Sequence, residues 1–321
     1  MRMATVILNY NSFDDTIQCV KNFYAQSVKK HIIIVDNKSS FHQRELLKEW
    51  FKTLKNRKAI FEINNDSKNI PIFNNSDKSE LDIILVLNSE NLGYAAGNNI
   101  GLKIAYQLGA LSALIINPDI RILDNKYLER LEKALFSDKA TAIAASQITN
   151  QNGTKENPLK LNQSFLVDCF WFIRLPFIKI KTLIKLGNDS PKKYDAIKVT
   201  RGSVGFVEKV SGACFLIKMD FLKEINFLDE GTFLYLEETI LSMQVKKMKR
   251  KILFQGNLNA IHCHDYIQKK ISAKNSIIGA NSYLHYLKHH SRFNKFQKAI
   301  LEISIRLQIL AYKIILIFQK I

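Results

Sequence analysis

The sequence has few of the residues that define the simpler classes of protein. Its 321 residues include 4 cysteines, 5 prolines and 12 glycines. So little proline and glycine excludes a collagen-like fibre and a low-complexity linker. No two cysteines stand at the C-x-x-C spacing of a zinc or redox site, and a chain of this length does not need disulfides to fold. We therefore expect buried free thiols in a reducing compartment.

Long apolar runs are also missing. No uncharged stretch reaches the roughly 18 residues that a membrane-spanning helix needs. The first apolar run, residues 4–8, is too short for the core of a signal peptide. These absences predict a cytoplasmic protein whose membrane contact, if it has any, is peripheral.

Two common nucleotide-binding motifs are absent as well. The turn after the first apolar run reads Asn9-Tyr10-Asn11-Ser12 and not G-x-G-x-x-G, and no G-x-x-x-x-G-K-[ST] motif occurs. Both motifs use glycine to bring backbone N–H groups close to phosphate. A dinucleotide-binding Rossmann fold and a P-loop NTPase are therefore disfavoured.

The charge of the chain is strongly positive. Lys and Arg number 47 and Asp and Glu 29, which gives a net charge of +18. Such a balance favours anionic partners, namely nucleotide phosphates, nucleic acid or an anionic membrane surface. Part of the excess follows from a composition rich in Lys, Asn and Ile. The basic residues are spread along the chain and not concentrated with aromatics in one module, so nucleic acid is not an expected partner.

Apolar runs alternate with helical patterns through the first half of the chain. Strands are predicted at 4–8, 31–35, 59–63, 81–87, 112–116 and 141–145, and helices at 12–25, 43–54, 94–108 and 128–136. A further strand at 209–217 and a helix at 234–248 follow a less regular middle section. Continuous apolar strands that alternate with helices predict an α/β domain with a parallel sheet covered on both faces. Such sheets bind ligands beyond the carboxyl ends of their strands.

Polar residues at these predicted strand ends are the first candidates for chemistry. Asp36 follows the most apolar strand, where its carboxylate either accepts hydrogen bonds from a nucleotide or caps the next helix. Asn117-Pro118-Asp119 follows another strand and is either a cation site for a diphosphate or an ordinary Asn-Pro turn. The residue pattern leaves both alternatives open.

Two further pairs lie later in the chain. Glu237 and Glu238 stand early in a predicted helix, where a carboxylate is either a general base or a partner of the helix dipole. His262 and His264 are two residues apart near a predicted strand end, so they share one side of an extended segment. They are either a metal or phosphate contact or an ordinary surface pair.

The order of these motifs along the chain is specific, although each motif alone is weak. The series contains VILNYN at 6–11, VDNKS at 35–39, NLGYAAGNN at 91–99, NPD at 117–119, GACF at 212–215, LDE at 228–230, FLYLEE at 233–238, and His262. Over about residues 4–265 it resembles the family 2 glycosyltransferases of the GT-A fold, in particular their rhamnosyltransferase-like bacterial branch.

The resemblance implies a fold, a domain division and a reaction. The fold is α/β and of GT-A type, a mostly parallel sheet flanked by helices with a C-terminal helical extension. Residues 1–265 form the transferase domain, with a nucleotide-binding part at about 1–120 and an acceptor and catalytic part at about 121–265. The reaction is inverting transfer of a sugar from dTDP-rhamnose or a UDP-hexose. The implied acceptor is a hydroxyl of a lipid-linked glycan in surface polysaccharide biosynthesis.

The resemblance also implies a role for individual residues. The nucleotide-sugar-binding residues are Asn9, Tyr10, Asn11, Asp36, Asn37, Asn91, Gly93, Asn98 and Asn117. Asp119 and His262 are placed at a Mg²⁺ or Mn²⁺ site, and His264 is an additional candidate there. Glu238 stands at the position of the general base, which is usually Asp in the family, and Glu237 is the alternative.

The last segment, 266–321, is predicted to be helical and amphipathic. Its polar side chains recur at helical spacing in one stripe, at Lys295, Lys298, Glu302, Arg306, Lys313 and Lys320. The wide apolar remainder favours contact with an anionic membrane surface on the inner face of the plasma membrane. The aromatic stretch 165–180 is a second possible membrane contact. Docking of the helix on the protein core or on a second subunit, which includes a homodimer, is the alternative.

Two functions of other classes stay open on the sequence. A sugar-nucleotide nucleotidyltransferase shares the α/β architecture, but it needs a Gly-rich loop with Arg or Lys after the first strand. A non-catalytic basic protein that binds RNA or membrane would explain the charge, but it does not explain acidic residues at strand ends.

Overall fold

The fold is known from a computed structural model. It describes residues 3–27, 30–55, 58–63, 82–161, 164–169, 202–263 and 272–318. Residues 64–81, most of the aromatic stretch 165–180, and His264 lie outside these ranges.

The described chain alternates strands and helices. The strands are β1 Met3–Asn9, β2 Lys30–Asp36, β3 Lys58–Ile63, β4 Ile83–Asn88, β5 Ser112–Ile116, β6 Ile120–Arg121, β7 Thr141–Asn150, β8 Val204–Val207, β9 Cys214–Lys218 and β10 Lys251–His262. The helices are α1 Phe13–Tyr24, α2 Phe41–Thr53, α3 Gly93–Gln107, α4 Tyr127–Phe136, α5 Met219–Glu224, α6 Glu237–Lys247, α7 Ala273–His289 and α8 Lys295–Phe318.

All ten strands belong to one mixed sheet. Its order is β3-β4-β2-β1-β5-β9-β7-β10-β6, and β8 pairs with β10. The five strands from β3 to β5 are parallel to one another. Strand β9 is antiparallel to both of its neighbours, whereas β7 and β10 are again parallel. The sheet is thus parallel in its first half, as the alternating pattern predicts, and mixed in its second half.

Helices cover both faces of the sheet. One apolar cluster joins residues of α3, α5 and α6 to one face, and a second joins residues of α1, α2 and α4 to the other. The central strands are therefore buried on both sides, and every residue of β4 and β5 is buried. This explains why these strands read as continuous apolar runs and not as alternating ones.

Three predicted elements differ clearly from their predicted bounds, and β6, β8, β10 and α5 were not predicted. The strand predicted at 209–217 is shorter, since β9 begins only at Cys214. The preceding backbone turns instead toward Asn157, whose side-chain Oδ1 accepts a hydrogen bond from Ser211 N–H. The helix predicted at 234–248 begins only at Glu237, because Tyr235 and Leu236 have positive φ angles of 76° and 71°. Strand β7 has 10 residues, twice the predicted length.

The last two helices pack against each other and against the preceding domain. Leu301 and Ile305 of α8 are buried with Ala280 and Leu287 of α7. A further cluster joins Tyr286 of α7 to α6. One face of α8 is thus docked on the protein, which was the alternative to membrane contact for that face. Within the described ranges, no helix has both the length and the apolar character required to traverse a bilayer.

Two glycines allow α3 to approach the sheet closely. A Cβ atom on Gly101 would lie 2.5 Å from Cγ1 of Val6 on β1, and one on Gly97 would lie 2.6 Å from Cδ1 of Leu8. Both glycines are four residues apart and hence share one helix face. The close approach places the first turn of α3, with Gly93 and Asn98, directly beside the ends of β1 and β2.

Gly101→Ala is expected to lower the free energy of unfolding by about 1–3 kcal/mol, because the added methyl group overpacks a filled interface. Urea unfolding followed by circular dichroism measures this change. Gly205→Ala is the matched control, since no atom lies within 4 Å of the position of its Cβ. Equal stability of Gly101→Ala and wild type would contradict the close packing.

Candidate functional site

The site begins at the carboxyl ends of β1 and β2, where Asn9 and Asp36 are paired in the register of the sheet. Nδ2 of Asn9 donates to Oδ1 of Asp36 at 2.8 Å. Ser39 donates to the same carboxylate through its hydroxyl and its backbone N–H, and Arg44 Nε forms an ion pair with it at 3.0 Å. Asp36 is completely buried. Its carboxylate therefore fixes the loops that follow β1 and β2 and is shielded from solvent by protein groups.

Asn9 links this carboxylate to the next helix. Its Oδ1 accepts hydrogen bonds from Ser12 N–H at 3.2 Å and from the Thr16 hydroxyl at 2.9 Å. Ser12, at the N-cap position of α1, makes no capping bond with its own side chain. The cap of α1 is thus supplied by Asn9, three residues earlier. This leaves Tyr10, which is 52% exposed, at the surface of the turn.

Asn37 joins the ends of β2 and β4 to the start of α3. Its Nδ2 donates to Oδ1 of Asn91 at 2.9 Å and to the carbonyl of Gly93 at 3.0 Å. Its Oδ1 accepts from Nδ2 of Asn88 at 3.1 Å and from Leu92 N–H at 3.1 Å. All four hydrogen-bonding positions of this buried amide are therefore used, and the 88–93 loop has a fixed place beside Asp36.

The beginning of α3 contacts two segments from the second half of the chain, at Gly212 and Phe233. Tyr94 N–H donates to the carbonyl of Phe233 at 2.9 Å, and the Tyr94 hydroxyl donates to the carbonyl of Gly212. Gly93 has a φ of 82°, and a Cβ there would lie 2.2 Å from the same Phe233 oxygen. Only glycine satisfies both conditions, so Gly93 allows the start of α3 and the Phe233 segment to meet.

Asp119 and His262 lie side by side at the end of β5 and β10. Asp119 Oδ1 is 3.4 Å from Nε2 of His262, and the carbonyl of Asp119 accepts from Cys263 N–H at 2.8 Å. Glu156 holds the other ring nitrogen, with Oε2 2.6 Å from Nδ1. A histidine oriented by a second carboxylate is the arrangement that metal-binding imidazoles typically have.

The charges around His262 favour its protonated form. Burial opposes the imidazolium, but the hydrogen bonds and charges of Asp119 and Glu156 together outweigh it and raise the pKa of His262 to about 9. A cation bound at Nε2 would replace that proton and retain the attraction of both carboxylates. Asp119 and His262 therefore offer one oxygen and one nitrogen that suit a divalent cation.

Glu237 and Glu238 are the first two residues of α6. Together with Tyr94 they line a narrow cleft. Other residues of this cleft are Ala95, Gly212, Phe215, Leu228, Asp229, Leu241 and Gln244. The two left-handed residues before the helix fix its first turn, and hence the direction of both glutamates. The acidic pair thus faces a hollow that also contains the contacts of Tyr94 with Gly212.

Glu237 carries a strongly perturbed carboxyl group. Burial raises its pKa to about 7, against the opposing effect of backbone N–H donors, and the charge of Glu238 adds to the increase. Its Oε1 is buried and has no hydrogen-bond partner among the described residues. Near neutral pH, Glu237 is therefore present in both protonation states, which suits acid–base or hydrogen-bonding work on a ligand.

The structure brings most of the predicted site residues to one edge of the sheet. Asn98 lies fully buried in the first turns of α3, where Nδ2 donates to the Tyr94 carbonyl. Asn117 N–H donates to the Ala213 carbonyl, which ties the NPD turn to the cleft. Glu156 and Arg44 were not predicted from the sequence. Arg44 is the second residue of the helix predicted at 43–54, which is a weak signal, and Glu156 has no sequence signal at all.

Comparison with known proteins identifies this architecture. No protein-family model matches the chain. The low-salt glycan biosynthesis hexosyltransferase Agl10 of Haloferax volcanii is 24% identical over 293 residues, which cover 91% of this chain and 74% of that protein. Similar solved structures include GalNAc-T7 with UDP, GalNAc and Mn²⁺, with a TM-score of 0.58 at 13% identity. That match covers 89% of this chain and 47% of the other, so the chain spans about half the length of that structure.

A second structure extends the likeness along nearly the whole chain. The mannosyltransferase PcManGT of Pyrobaculum calidifontis, in complex with GDP-Man and Mn²⁺, has a TM-score of 0.54 at 12% identity. The match covers 97% of this chain and 73% of that one. At these identities the comparisons show the fold, and they confirm the predicted one: a central sheet flanked by helices, of the GT-A glycosyltransferase type, with C-terminal helices.

The raised pKa of Glu237 predicts a pH-dependent stability. The native chain binds more protons than the unfolded chain between the ordinary pKa of 4.5 and the native value of about 7. The stability that Glu237 contributes is thus present below pH 4.5 and lost as the pH rises through 7. Glu237→Gln removes the buried charge, so it is expected to be more stable than wild type by about 1–3 kcal/mol at pH 8 and similar to it at pH 4.5.

Urea unfolding at several pH values between 4.5 and 8 measures this difference. Glu302→Gln on the exposed side of α8 is the control, and its difference from wild type should not follow the same curve. A constant difference between Glu237→Gln and wild type across the range would show that the carboxyl group titrates normally.

Proposed function

We propose that this protein is a glycosyltransferase that moves a sugar from a nucleotide-diphosphate donor to an acceptor hydroxyl with inversion at the anomeric carbon. The observation that carries the proposal is the joining of three groups at one sheet edge: the Asn9–Asp36 loop, the Asp119–His262 pair and the Glu237/Glu238 cleft. A nucleotide, a diphosphate and an acceptor each need one such group.

Hydrogen bonds between the three groups support their action on one ligand. Asn37 of the first group holds the carbonyl of Gly93, and Tyr94 next to it contacts both Phe233 and Gly212 of the cleft. The backbone of Asn117 contacts Ala213, the neighbour of Gly212. A donor laid along this edge would pass from the nucleotide loop across Asp119 to the acidic cleft.

The nucleotide part of the donor would lie on the Asn9–Asn11 turn and beside Asn91, Gly93 and Asn98. Because Asp36 and Asn9 are fully buried, we assign them the role of positioning residues that fix the turn, while exposed Tyr10 meets the base. Asn11 has a φ of 55° and its Oδ1 accepts from Ser40 N–H at 2.7 Å, which aims the turn away from the core.

Asp119 and His262 would hold a divalent cation, with Glu156 orienting the imidazole. A carboxylate and an imidazole together suit Mn²⁺ better than Mg²⁺, which prefers oxygen ligands and water. The bound cation would supply positive charge to the diphosphate as it leaves. Asn117 lies close enough along the turn to contact the same phosphates.

We assign the general base to Glu238 and keep Glu237 as the alternative. Glu238 would accept the proton of the acceptor hydroxyl as that oxygen attacks the anomeric carbon. Glu237, with a pKa of about 7, would form a hydrogen bond with a neighbouring hydroxyl of the acceptor glycan, as donor when protonated and as recipient when ionised. This class of donor is supported by the similar proteins: a glycan hexosyltransferase, GalNAc-T7 with UDP, GalNAc and Mn²⁺, and a mannosyltransferase with GDP-Man and Mn²⁺.

With Mn²⁺ and the correct donor among dTDP-rhamnose, UDP-hexoses and GDP-mannose, the full chain is expected to release nucleoside diphosphate. Glu238→Gln should lower turnover by about 10²–10⁴-fold and leave donor binding unchanged, because only proton transfer is lost. Asp119→Asn should weaken Mn²⁺ binding and turnover together. Coupled detection of the diphosphate and calorimetry with the donor measure the two effects.

Glu302→Gln on α8 is the matched control for a lost carboxylate. A larger loss of turnover in Glu237→Gln than in Glu238→Gln would move the base to Glu237. No release of diphosphate from any donor, with wild-type behaviour of Asp119→Asn, would instead favour a non-catalytic basic protein. Synthesis of a nucleotide sugar from a sugar phosphate would favour the nucleotidyltransferase.

We further propose that residues 1–265 are the transferase domain and that 266–321 attach it to an anionic membrane surface, the inner face of the plasma membrane. The support is the second face of α8, opposite the face docked on α7. It exposes a stripe of large apolar side chains at Phe296, Ile303, Leu307, Leu310, Ile314, Ile317 and Phe318. Each of them lies three, four or seven positions from another member of the set, which keeps them on one side of the helix.

Basic side chains beside the stripe favour lipid over a protein partner. Lys295, Arg306 and Lys313 lie along one flank, and the chain as a whole has a charge of +18. Each basic group near an anionic bilayer contributes about 1 kcal/mol to binding. Attachment to the membrane would then bring the cleft close to a lipid-linked glycan acceptor.

The variant Ile303→Gln/Leu310→Gln is expected to keep its fold and to lose at least ten-fold in affinity for vesicles containing phosphatidylglycerol, because both side chains are exposed and buried only by lipid. Vesicle co-sedimentation measures the loss. Leu111→Gln/Leu123→Gln is the control, since these leucines are equally exposed but lie elsewhere. A wild-type chain that ignores vesicles and forms a dimer disrupted by the same variant would assign the stripe to a second subunit.

A further inference from the structure

Three histidines gather at the carboxyl end of α7, beside the loop that precedes the acidic cleft. His285, His289 and His290 have ring centroids 4.7–6.4 Å apart. Asp229 lies between two of them and also lines the cleft with Glu237 and Glu238. This cluster is separate from the Asp119–His262 pair, and the function proposed above assigns no role to its histidines.

The two oxygens of Asp229 each meet one imidazole. Oδ1 is 2.7 Å from Nε2 of His285, and Oδ2 is 2.7 Å from Nε2 of His290. One ligand atom from each of the three residues lies within 4.8 Å of the other two. All three side chains are 15–23% exposed, so the cluster is sheltered and still reachable from solvent.

The backbone next to Asp229 is shaped to admit one of these rings. A Cβ atom on Gly231 would lie 1.9 Å from Cε1 of His285. The absence of a side chain there is what allows the ring to reach the carboxylate. Gly231 N–H also donates to Oδ1 of Asp229 at 2.9 Å, which fixes the carboxylate in place.

The donor set defines the class of ligand. Two imidazole nitrogens and one carboxylate oxygen form the three-ligand set of many zinc sites, with the fourth position open. Zinc–ligand distances of about 2.0–2.1 Å place tetrahedral ligand atoms roughly 3.3 Å apart, so small side-chain movements convert the present hydrogen bonds into bonds to a cation. Magnesium prefers oxygen ligands and would not compete well here.

We propose that Asp229, His285 and His290 form a second divalent-cation site that binds Zn²⁺ and similar borderline transition metals. The bound cation joins the end of α7 to the 228–236 segment. That segment reaches the start of α6 and, through the carbonyl of Phe233, contacts Tyr94. A cation bound there fixes the 228–236 segment, which forms part of the cleft lining. This second cation is independent of the cation proposed to act on the donor.

The test uses the full chain carrying Asp119→Asn, treated with chelator, so that the other cation site does not contribute. Calorimetric titration with ZnCl₂ is expected to give one bound equivalent and a higher melting temperature. His285→Ala and His290→Ala should each weaken Zn²⁺ binding at least ~100-fold, since each removes a direct ligand. His42→Ala, an exposed histidine on α2, should bind as the parent does.

Cobalt and a second variant keep the test decisive if an alanine variant does not fold. Co²⁺ bound to the parent chain is expected to show the intense visible absorption of a four-coordinate site. Gly231→Ala, which retains all three ligand residues, should weaken Zn²⁺ binding by displacing the His285 ring. Absence of Zn²⁺ binding, octahedral Co²⁺, or binding lost with His289→Ala and retained with His285→Ala would overturn the proposal. None of these readouts depends on sugar transfer, so a failure here leaves the proposed function unaffected.

Discussion

The candidate site depends on the need to satisfy buried amide and carboxylate groups where the parallel strands end. Asn9, Asp36 and Asn37 are 0–2% exposed. A buried polar group without a hydrogen bond costs several kcal/mol, so these groups take one another as partners. Their shared bonds fix the loops after β1, β2 and β4 relative to each other. Side-chain hydrogen bonds therefore order the carboxyl edge of these strands, although loops form it.

This network continues into the second half of the sheet through backbone contacts. Gly93 permits the start of α3 to touch Phe233, and the Tyr94 hydroxyl reaches Gly212. Each contact is made by a carbonyl oxygen and hence does not depend on the identity of the partner side chain. The segment with Phe233 and Gly212 is thus positioned by α3, which in turn packs against β1 and β2 through its glycine face.

The sequence predicts the first half of the fold well, because there the pattern of apolar residues along the chain matches the burial of the strands and helices. Strands such as Ser112–Ile116 are buried on both faces and read as apolar runs, and the turn residues after them are polar. It predicts the second half less well, where long-range contacts override the local pattern. The hydrogen bond from Asn157 to Ser211 shortens the strand expected at 209–217, and the left-handed Tyr235 and Leu236 delay the helix expected at 234.

The same distinction applies to the site. Residues at strand ends, such as Asp36 and Asp119, could be found because topology brings strand ends together. Glu156 could not be found, since it lies in a polar loop and is brought to His262 from 106 positions away. His285 and His290 meet Asp229 across more than 50 positions, and nothing in the helical pattern of α7 distinguishes them from surface histidines.

The start of α6 has a fixed position, and this limits which insertions and deletions the chain can accept near the cleft. Phe233 is held by Tyr94, and the helix begins four positions later with its direction set by two left-handed residues. Each residue of an α-helix turns the next side chain by about 100°. An insertion or deletion of one residue between Phe233 and Glu237 would therefore rotate both carboxylates out of the hollow.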